Sequence, residues 1–371
     1  MGIVHLILGK ANPEKMNGVN KVVYNIATKQ AENNQDVEVW GISENTEINY
    51  PERNFRTKIF KRGKNLFFIP EDLKTEIINS SASNVYHIHG GWIPVFWSLS
   101  KFLRKHKFIY IITPHGAYNA VAMHKSILIK KIYLELFEKT VIRNASKIHC
   151  IGESELEGLQ SIAPKKKGIL IPYGFTRLKH NSVFSTQKEN LIFGFVGRLD
   201  IYTKGLDLLV ESFAEFSKAD PDSTLWIVGD SNEKDLLHQK IKLLGIENKT
   251  VLFGSRFGEE KNELIKKMDV FVHPSRNEGL PVSVIEAANF GRPCIVTKNT
   301  NIGYLIEQYN AGITVSSPDA ALLTKAFFEI SKIWKDHQNY VNMCENAVKM
   351  VEEAFDWNHI LEAMNTKLYN G

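Results

Sequence analysis

Cysteine is scarce: Cys150, Cys294 and Cys344 stand far apart in 371 residues. That excludes a disulfide framework and the paired spacing of a structural zinc site, and it favours a reducing, cytoplasmic setting. Apolar runs are short, none approaching the roughly 18–20 residues that a membrane span needs. Residues 1–8 carry no basic start followed by a long apolar stretch, so they do not read as a signal peptide. Leu6 stands where a myristoylation signal has Ser or Thr. Low-complexity segments and short repeats are missing too. Hydrophobic residues at 43% and charged residues at 23% are ordinary globular proportions, and the length suits two domains with a core each.

Charge is unevenly placed. Residues 1–172 hold 24 Lys and Arg against 15 Asp and Glu, while the remainder holds 22 against 26. A basic first half calls for an anionic partner: phosphates, a membrane surface or nucleic acid. No nucleic-acid-binding module is recognisable, so nucleic acid is not expected.

Short apolar runs alternate with helical periodicity along the whole chain. Strands are predicted at 3–8, 37–42, 85–89, 108–113, 147–151 and 168–171, then at 191–196, 224–228, 250–253, 270–273, 293–296 and 312–315. Helical stretches between them include 19–31, 125–143, 205–216, 233–244, 259–267 and 282–289. This alternation implies parallel sheets built from βαβ units. The fold class is α/β: two doubly wound, Rossmann-like domains, 1–172 and 173–355, facing a central cleft. Ligands of such sheets bind beyond the carboxyl ends of the strands.

Two of those ends stand out in the second half. Arg198 follows strand 191–196, and Lys204 opens the next helix. A guanidinium, an ammonium and a helix N-terminus together suit a pyrophosphate; either cation alone would read as an ordinary surface charge. After strand 270–273 come Glu278, a turn through Gly279, Leu280, Pro281 and Val282, and then Glu286 on the helix beyond. Carboxylates accept hydrogen bonds from vicinal hydroxyls, so Glu286 suits a ribose and Glu278 a hexose. The free amides of this turn suit phosphate or sugar oxygens.

Four segments in order carry a resemblance: Val196–Gly205 (VGRLD…KG), Leu225–Asp230 (LWIVGD), His273–Val296 (HPSRNEGLPVSVIEAANFGRPCIV) and Phe355–Tyr369, which begins FDW. The third contains an E-x7-E motif. Nearly the whole chain resembles the family 4 glycosyltransferases of the bacterial surface-polysaccharide type, which have the GT-B fold. The resemblance implies that the first domain binds acceptor and is completed by a terminal helix, 356–371. The second would bind the nucleotide sugar. It gives Arg198 and Lys204 the donor pyrophosphate, Glu286 the ribose and Glu278 the donor sugar, and places Arg256 near the base.

In the first half, Asn17 and Gly18 precede helix 19–31, where the family usually has two glycines. Gly18 would let backbone approach the donor, and Asn17 tolerates a left-handed turn beside the acceptor. His115 follows strand 108–113. It could steady developing charge or bond a sugar hydroxyl, although a lone His is commonly structural. The family has a His-Gly here that contacts the donor sugar. His89 ends another strand and is a candidate acceptor contact or a plain strand-end turn. Two stretches mix cations with aromatic or apolar residues, 53–68 and helix 125–143. Each suits an anionic bilayer or a solvated face over a core contact.

The resemblance implies retention of anomeric configuration, with the leaving phosphate able to take the acceptor proton. No cofactor is implied, and no metal is expected: the one D-x-D, Asp220-Pro221-Asp222, reads as a turn before a strand. A UDP-hexose donor is expected, GDP-mannose second, with a saccharide on a lipid diphosphate as acceptor, in O-antigen or capsule synthesis at the inner membrane face. Two other readings compete. A nucleotide-sugar epimerase would convert donor without acceptor. A non-catalytic partner subunit would bind donor without turning it over.

Overall fold

The computed structural model describes residues 1–12, 18–48, 50, 52–119, 127–177 and 190–370, without the side chains of 127 and 128. The chain folds into two compact units, Met1–Gly174 with Trp357–Gly371, and Phe175–Asp356.

The first unit holds seven strands: β1 Ile3–Leu8, β2 Val37–Ser43, β3 Arg56–Lys61, β4 Val85–His89, β5 Ile109–Thr113, β6 Lys147–Cys150 and β7 Gly168–Leu170. They pair in the order β3-β2-β1-β4-β5-β6-β7, every pair parallel. Parallel strands are buried on both faces, hence the near-continuous apolar runs. One face packs Leu6, Tyr86, Ile88, Tyr110 and Ile112 against Phe96, Leu99 and Leu103 of helix Pro94–Lys105. The other carries an unusual set of polar residues, described below.

The second unit holds β8 Ile192–Val196, β9 Thr224–Val228, β10 Thr250–Gly254, β11 Val270–His273, β12 Cys294–Thr297 and β13 Gly312–Val315. Their order is β10-β9-β8-β11-β12-β13, again parallel. Phe193 on β8 anchors an aromatic cluster, with ring centroids 5.4 Å from Phe216 and 4.4 Å from Phe327. All three are buried, and truncating any one would cost about 3–5 kcal/mol. In each unit the strand order reverses once, between β1 and β4 and between β8 and β11, and such switch points are where open α/β sheets bind ligands.

The stretch 53–68 holds a strand that the sequence pattern does not single out. Arg56–Lys61 is edge strand β3, paired with β2. Arg56 pairs with Asp36 and Glu38, and Lys58 with Glu38 and Glu76. Arg53 donates to the carbonyls of Lys10 and Ala11, and Phe55 and Phe60 are buried. Arg53, Arg56 and Lys58 thus bond within the fold, while Lys61, Lys64, Leu66 and Phe68 stay exposed. The basic helix is described from residue 127: Ile127–Tyr133, a π-helical turn Leu134–Glu138, then Lys139–Asn144. Among the described residues no helix is long and apolar enough to cross a membrane.

Candidate functional site

In the second unit, Arg198 and Lys204 follow β8, and the Pro274–Pro281 loop follows β11. The Asp200 side chain accepts from the Thr203 amide and caps a short helical turn, Ile201–Lys204. The turn ends at Gly205 with φ +66°. A Cβ on Gly205 would lie 2.1 Å from the Pro274 carbonyl oxygen, so the two loops touch backbone to backbone. Further bonds latch them. The Ser275 hydroxyl and Arg276 amide both donate to Thr203 O, at 2.6 and 2.9 Å. The Arg276 guanidinium takes both Asp207 carboxylate oxygens at 2.7 Å.

Within this frame Lys204 donates to Glu278 Oε1. His273, fully buried at the end of β11, donates its Nε2–H to the same oxygen at 2.9 Å. Burial by itself would raise the Glu278 pKa. The His273 bond and the Lys204 charge outweigh it and hold the carboxyl down at about 2. Glu278 is therefore anionic at neutral pH and is no general acid. His273 is kept neutral by burial, and its Nδ1 is left without a partner. Asn301, itself left-handed at φ +60°, donates to the carbonyls of Glu278 and Gly279 at 2.7 Å each.

Helix Val282–Asn289 begins just beyond Pro281, so the Val282 end presents the amides that a helix leaves without intrahelical acceptors. Leu280 is buried. Glu286 is buried on this helix, and Lys261 from helix Gly258–Lys267 holds its Oε2 at 2.6 Å. Arg198 is different: its side chain is 63% exposed, with one 3.3 Å contact to Asp200. Arg256 lines an open depression with Phe253, Leu264, Lys267 and three glutamates, Glu259, Glu260 and Glu263. Asp220 and Asp222 sit in the turn preceding β9, and Asp220 pairs with Lys335.

In the first unit, Gly18 opens helix Gly18–Glu32, exposed, with nothing within 4 Å of where a Cβ would stand. Asn17 lies outside the described residues. Three non-glycine residues just past strand ends have left-handed backbone: Ala11 (φ +47°), Trp92 (φ +62°) and His115 (φ +58°). Strain of this kind concentrates at functional sites. The His115–Gly116 turn is pinned by Glu155, whose carboxyl accepts from the Gly116 amide at 2.5 Å and the Ile151 amide at 3.1 Å. Burial raises Glu155 to about 7. Glu138, on the π-helical turn, is likewise raised to about 7 by burial and bonds the Tyr118 hydroxyl and Trp92 amide.

His115 is partly buried, and Tyr173 donates to its Nδ1. Its Nε2 bonds His89 Nδ1 at 2.9 Å. His89 is 1% exposed, and its Nε2 is engaged by His5. With both nitrogens committed inside the fold, the His89 side chain has no ring nitrogen left for an acceptor, and of the two readings for it the geometry fits the strand-end one. His273 and Lys261 were not singled out from the sequence. His273 stands inside the quoted motif, five residues before Glu278, and that spacing is the available signal.

Residues 16–175 match the family Glycosyltransferase Family 4, and residues 177–350 match Glycosyl transferases group 1. Among curated relatives, O-antigen chain mannosyltransferase C of Escherichia coli is 25% identical over 67% of this chain and 67% of its own. UDP-Gal:alpha-D-GlcNAc-diphosphoundecaprenol alpha-1,3-galactosyltransferase of Escherichia coli is 28% identical over 68% of this chain and 62% of its own. The chain spans 43 to 67% of the length of the first curated relatives it matches. Among solved structures, HepE of Anabaena in complex with UDP aligns with a TM-score of 0.72 and 17% identity, covering 99% of both chains; at that identity the likeness speaks for the fold. Each half thus carries a glycosyltransferase family domain, Family 4 over residues 16–175 and group 1 over residues 177–350, on the two parallel-sheet units of a GT-B fold.

Proposed function

We propose that the protein is a retaining glycosyltransferase that moves a hexosyl unit from a nucleotide sugar to a saccharide carried on a lipid diphosphate, in O-antigen or capsule assembly. A UDP-hexose is the first-choice donor and GDP-mannose the second. The observation that carries the reading is the grouping of Arg198, Lys204, Glu278 and His273 beyond β8 and β11, where the strand order reverses. The names of relatives support it. One takes UDP-Gal and a GlcNAc-diphosphoundecaprenol, another is an O-antigen mannosyltransferase, and HepE was solved with UDP.

Arg198 offers an open guanidinium fork to the diphosphate. Lys204, now spent on Glu278, would be drawn to the diphosphate and free that carboxylate for sugar hydroxyls. Glu286 has Oε2 held by Lys261 and would use Oε1 on the ribose. The amides of Gly279, Leu280 and Val282 would assist, and Arg256 would lie toward the base. His115 and Gly18 are the donor-side residues of the first unit. Catalysis then consists of stabilising charge on the departing nucleotide and placing the acceptor hydroxyl. Two cations and helix amides meet that charge, so the proposed step uses no metal or other cofactor.

The acceptor's lipid calls for a membrane contact, with the protein on the cytoplasmic face. Ile129, Ile132 and Leu136 are exposed along the basic helix, near Lys130 and Lys131. An apolar stripe flanked by lysines suits an anionic bilayer.

The test is incubation with UDP-glucose, UDP-galactose or GDP-mannose and a saccharide on a polyprenyl diphosphate, with the product's anomeric configuration read by NMR. Transfer from an α-donor to an α-linked product is expected. A β-linked product overturns retention. Conversion of the donor without acceptor indicates an epimerase, and failure with every donor overturns the reading.

A further inference from the structure

Five of the twelve histidines lie in one buried patch of the first unit: His5 on β1, His87 and His89 on β4, His149 on β6, and His115 beyond β5. The register pairs His5 with His87 and His89 with Thr113, so one sheet face carries them. Gln30 of helix Gly18–Glu32 and Tyr369 of the C-terminal helix cover that face through hydrogen bonds.

The direction of every bond follows from one acceptor. The Ile171 carbonyl can only accept, so His149 donates Nε2–H to it at 2.7 Å. His149 Nδ1 then accepts from the Thr113 hydroxyl at 2.9 Å. Thr113 Oγ1 accepts Nε2–H of His87 at 2.6 Å, and His87 Nδ1 accepts from the Tyr369 hydroxyl at 2.9 Å. The Tyr369 oxygen accepts from the Gln30 amide nitrogen at 3.3 Å, and Gln30 Oε1 accepts Nε2–H of His5 at 2.7 Å. His5 Nδ1 accepts from His89 at 2.8 Å, His89 Nδ1 from His115 at 2.9 Å, and His115 Nδ1 from Tyr173. Reversing any part would set two donors or two acceptors face to face at a buried site. All five rings are thus neutral Nε2–H tautomers in one unidirectional circuit.

We propose that this circuit is a positioning device for His115: Tyr173, His89, His5, Gln30 and Tyr369 hold its ring in one tautomer and one orientation, on the left-handed turn that carries it. The role for His115 rests on the transferase reading above. Burial keeps the rings neutral, with His5 and His149 at about 4 and His115 at about 3. His5, His87 and His89 lie close enough together to hold a metal ion. The Nδ1 lone pair that each would offer already accepts a hydrogen bond, so the cluster is not read as a metal site.

The circuit makes a non-local prediction. Tyr369 is four bonds from His115, yet Tyr369→Phe cuts the His115 arm from the carbonyl that sets its direction. That arm can then reverse as a unit. Long-range ¹⁵N–¹H spectra of the full-length, histidine-labelled protein read this directly. Wild type is expected to show His115 wholly as Nε2–H. Tyr369→Phe and, independently, Gln30→Leu are expected to show a mixture of tautomers at His115, with kcat for donor down about tenfold and KM within about twofold. A single unchanged His115 tautomer in both variants overturns the proposal, as does an Nδ1–H signature in wild type. A tautomer mixture with unaltered kcat overturns the positioning role. If wild type transfers nothing yet shows the predicted spectra, the transferase reading fails and the circuit stands.

Discussion

Lys204 and His273 both donate to one oxygen of Glu278, the lysine from a helical turn after β8 and the histidine from the end of β11. The pair joins two loops into one charged cluster and keeps the carboxylate ionised. Lys204→Ala is expected to raise the Glu278 pKa and lower kcat about 100-fold. It should also cost about 1–3 kcal/mol of stability, because a largely buried carboxylate loses a partner. Steady-state kinetics and urea unfolding check both. Full activity with unchanged stability would contradict the role given to the pair.

Two glycines separate fold from ligand approach. Gly205→Ala forces a Cβ to 2.1 Å from the Pro274 carbonyl, at a positive φ. The expected loss is about 2–4 kcal/mol, read as a lower denaturation midpoint. Gly18 faces open space, so Gly18→Ala should leave the midpoint unchanged or slightly raised. It should still weaken donor binding, because backbone approach is what a glycine there permits. Unaltered donor affinity in Gly18→Ala would remove that residue from the donor site.

Acid should unfold the first unit. His5 binds a proton near pH 4 in the fold and near 6.5 in the unfolded chain. Between those values the unfolded state holds more protons, so stability falls as pH drops; His5 alone accounts for roughly 3 kcal/mol. His87, His89, His115 and His149 shift the same way. Glu138 and Glu155 oppose this, since their raised values add stability as pH falls from about 7 to 4.5. Five rings outweigh two carboxyls. Thermal melts at pH 7 and pH 5 should therefore show a lower Tm at pH 5; an equal or higher Tm would contradict the neutral circuit.

Much of the fold is readable from local pattern. β8, β9 and β11 are short apolar runs ended by Gly or Pro, and their carboxyl ends display the residues expected there. β3 escapes the pattern because Arg56, Lys58 and Lys61 interrupt it: an edge strand needs few apolar residues, and only Phe60 of this one is fully buried. The π-helical turn at Leu134–Glu138 leaves no periodicity signal. His5, His87 and His149 each read alone as a polar residue in an apolar strand, and His115 as a residue just past one. Only the pairing register brings them together, and no spacing along the chain encodes that register. The same holds for Lys261, which meets Glu286 from a separate helix.

A thermal-shift screen against UDP, GDP, ADP and their sugar conjugates, run on wild type and Arg198→Ala, tests the central claim most directly. Arg198 is exposed and carries little of the fold, so its removal should change the unliganded stability by no more than an ordinary surface substitution does, about 0.5 kcal/mol. A ligand bound only by the folded state raises Tm by mass action. The account predicts that a uridine or guanosine diphosphate sugar raises the wild-type Tm and that the variant loses most of the shift. A wild-type Tm indifferent to every nucleotide, or a variant that responds as fully as wild type, would contradict it.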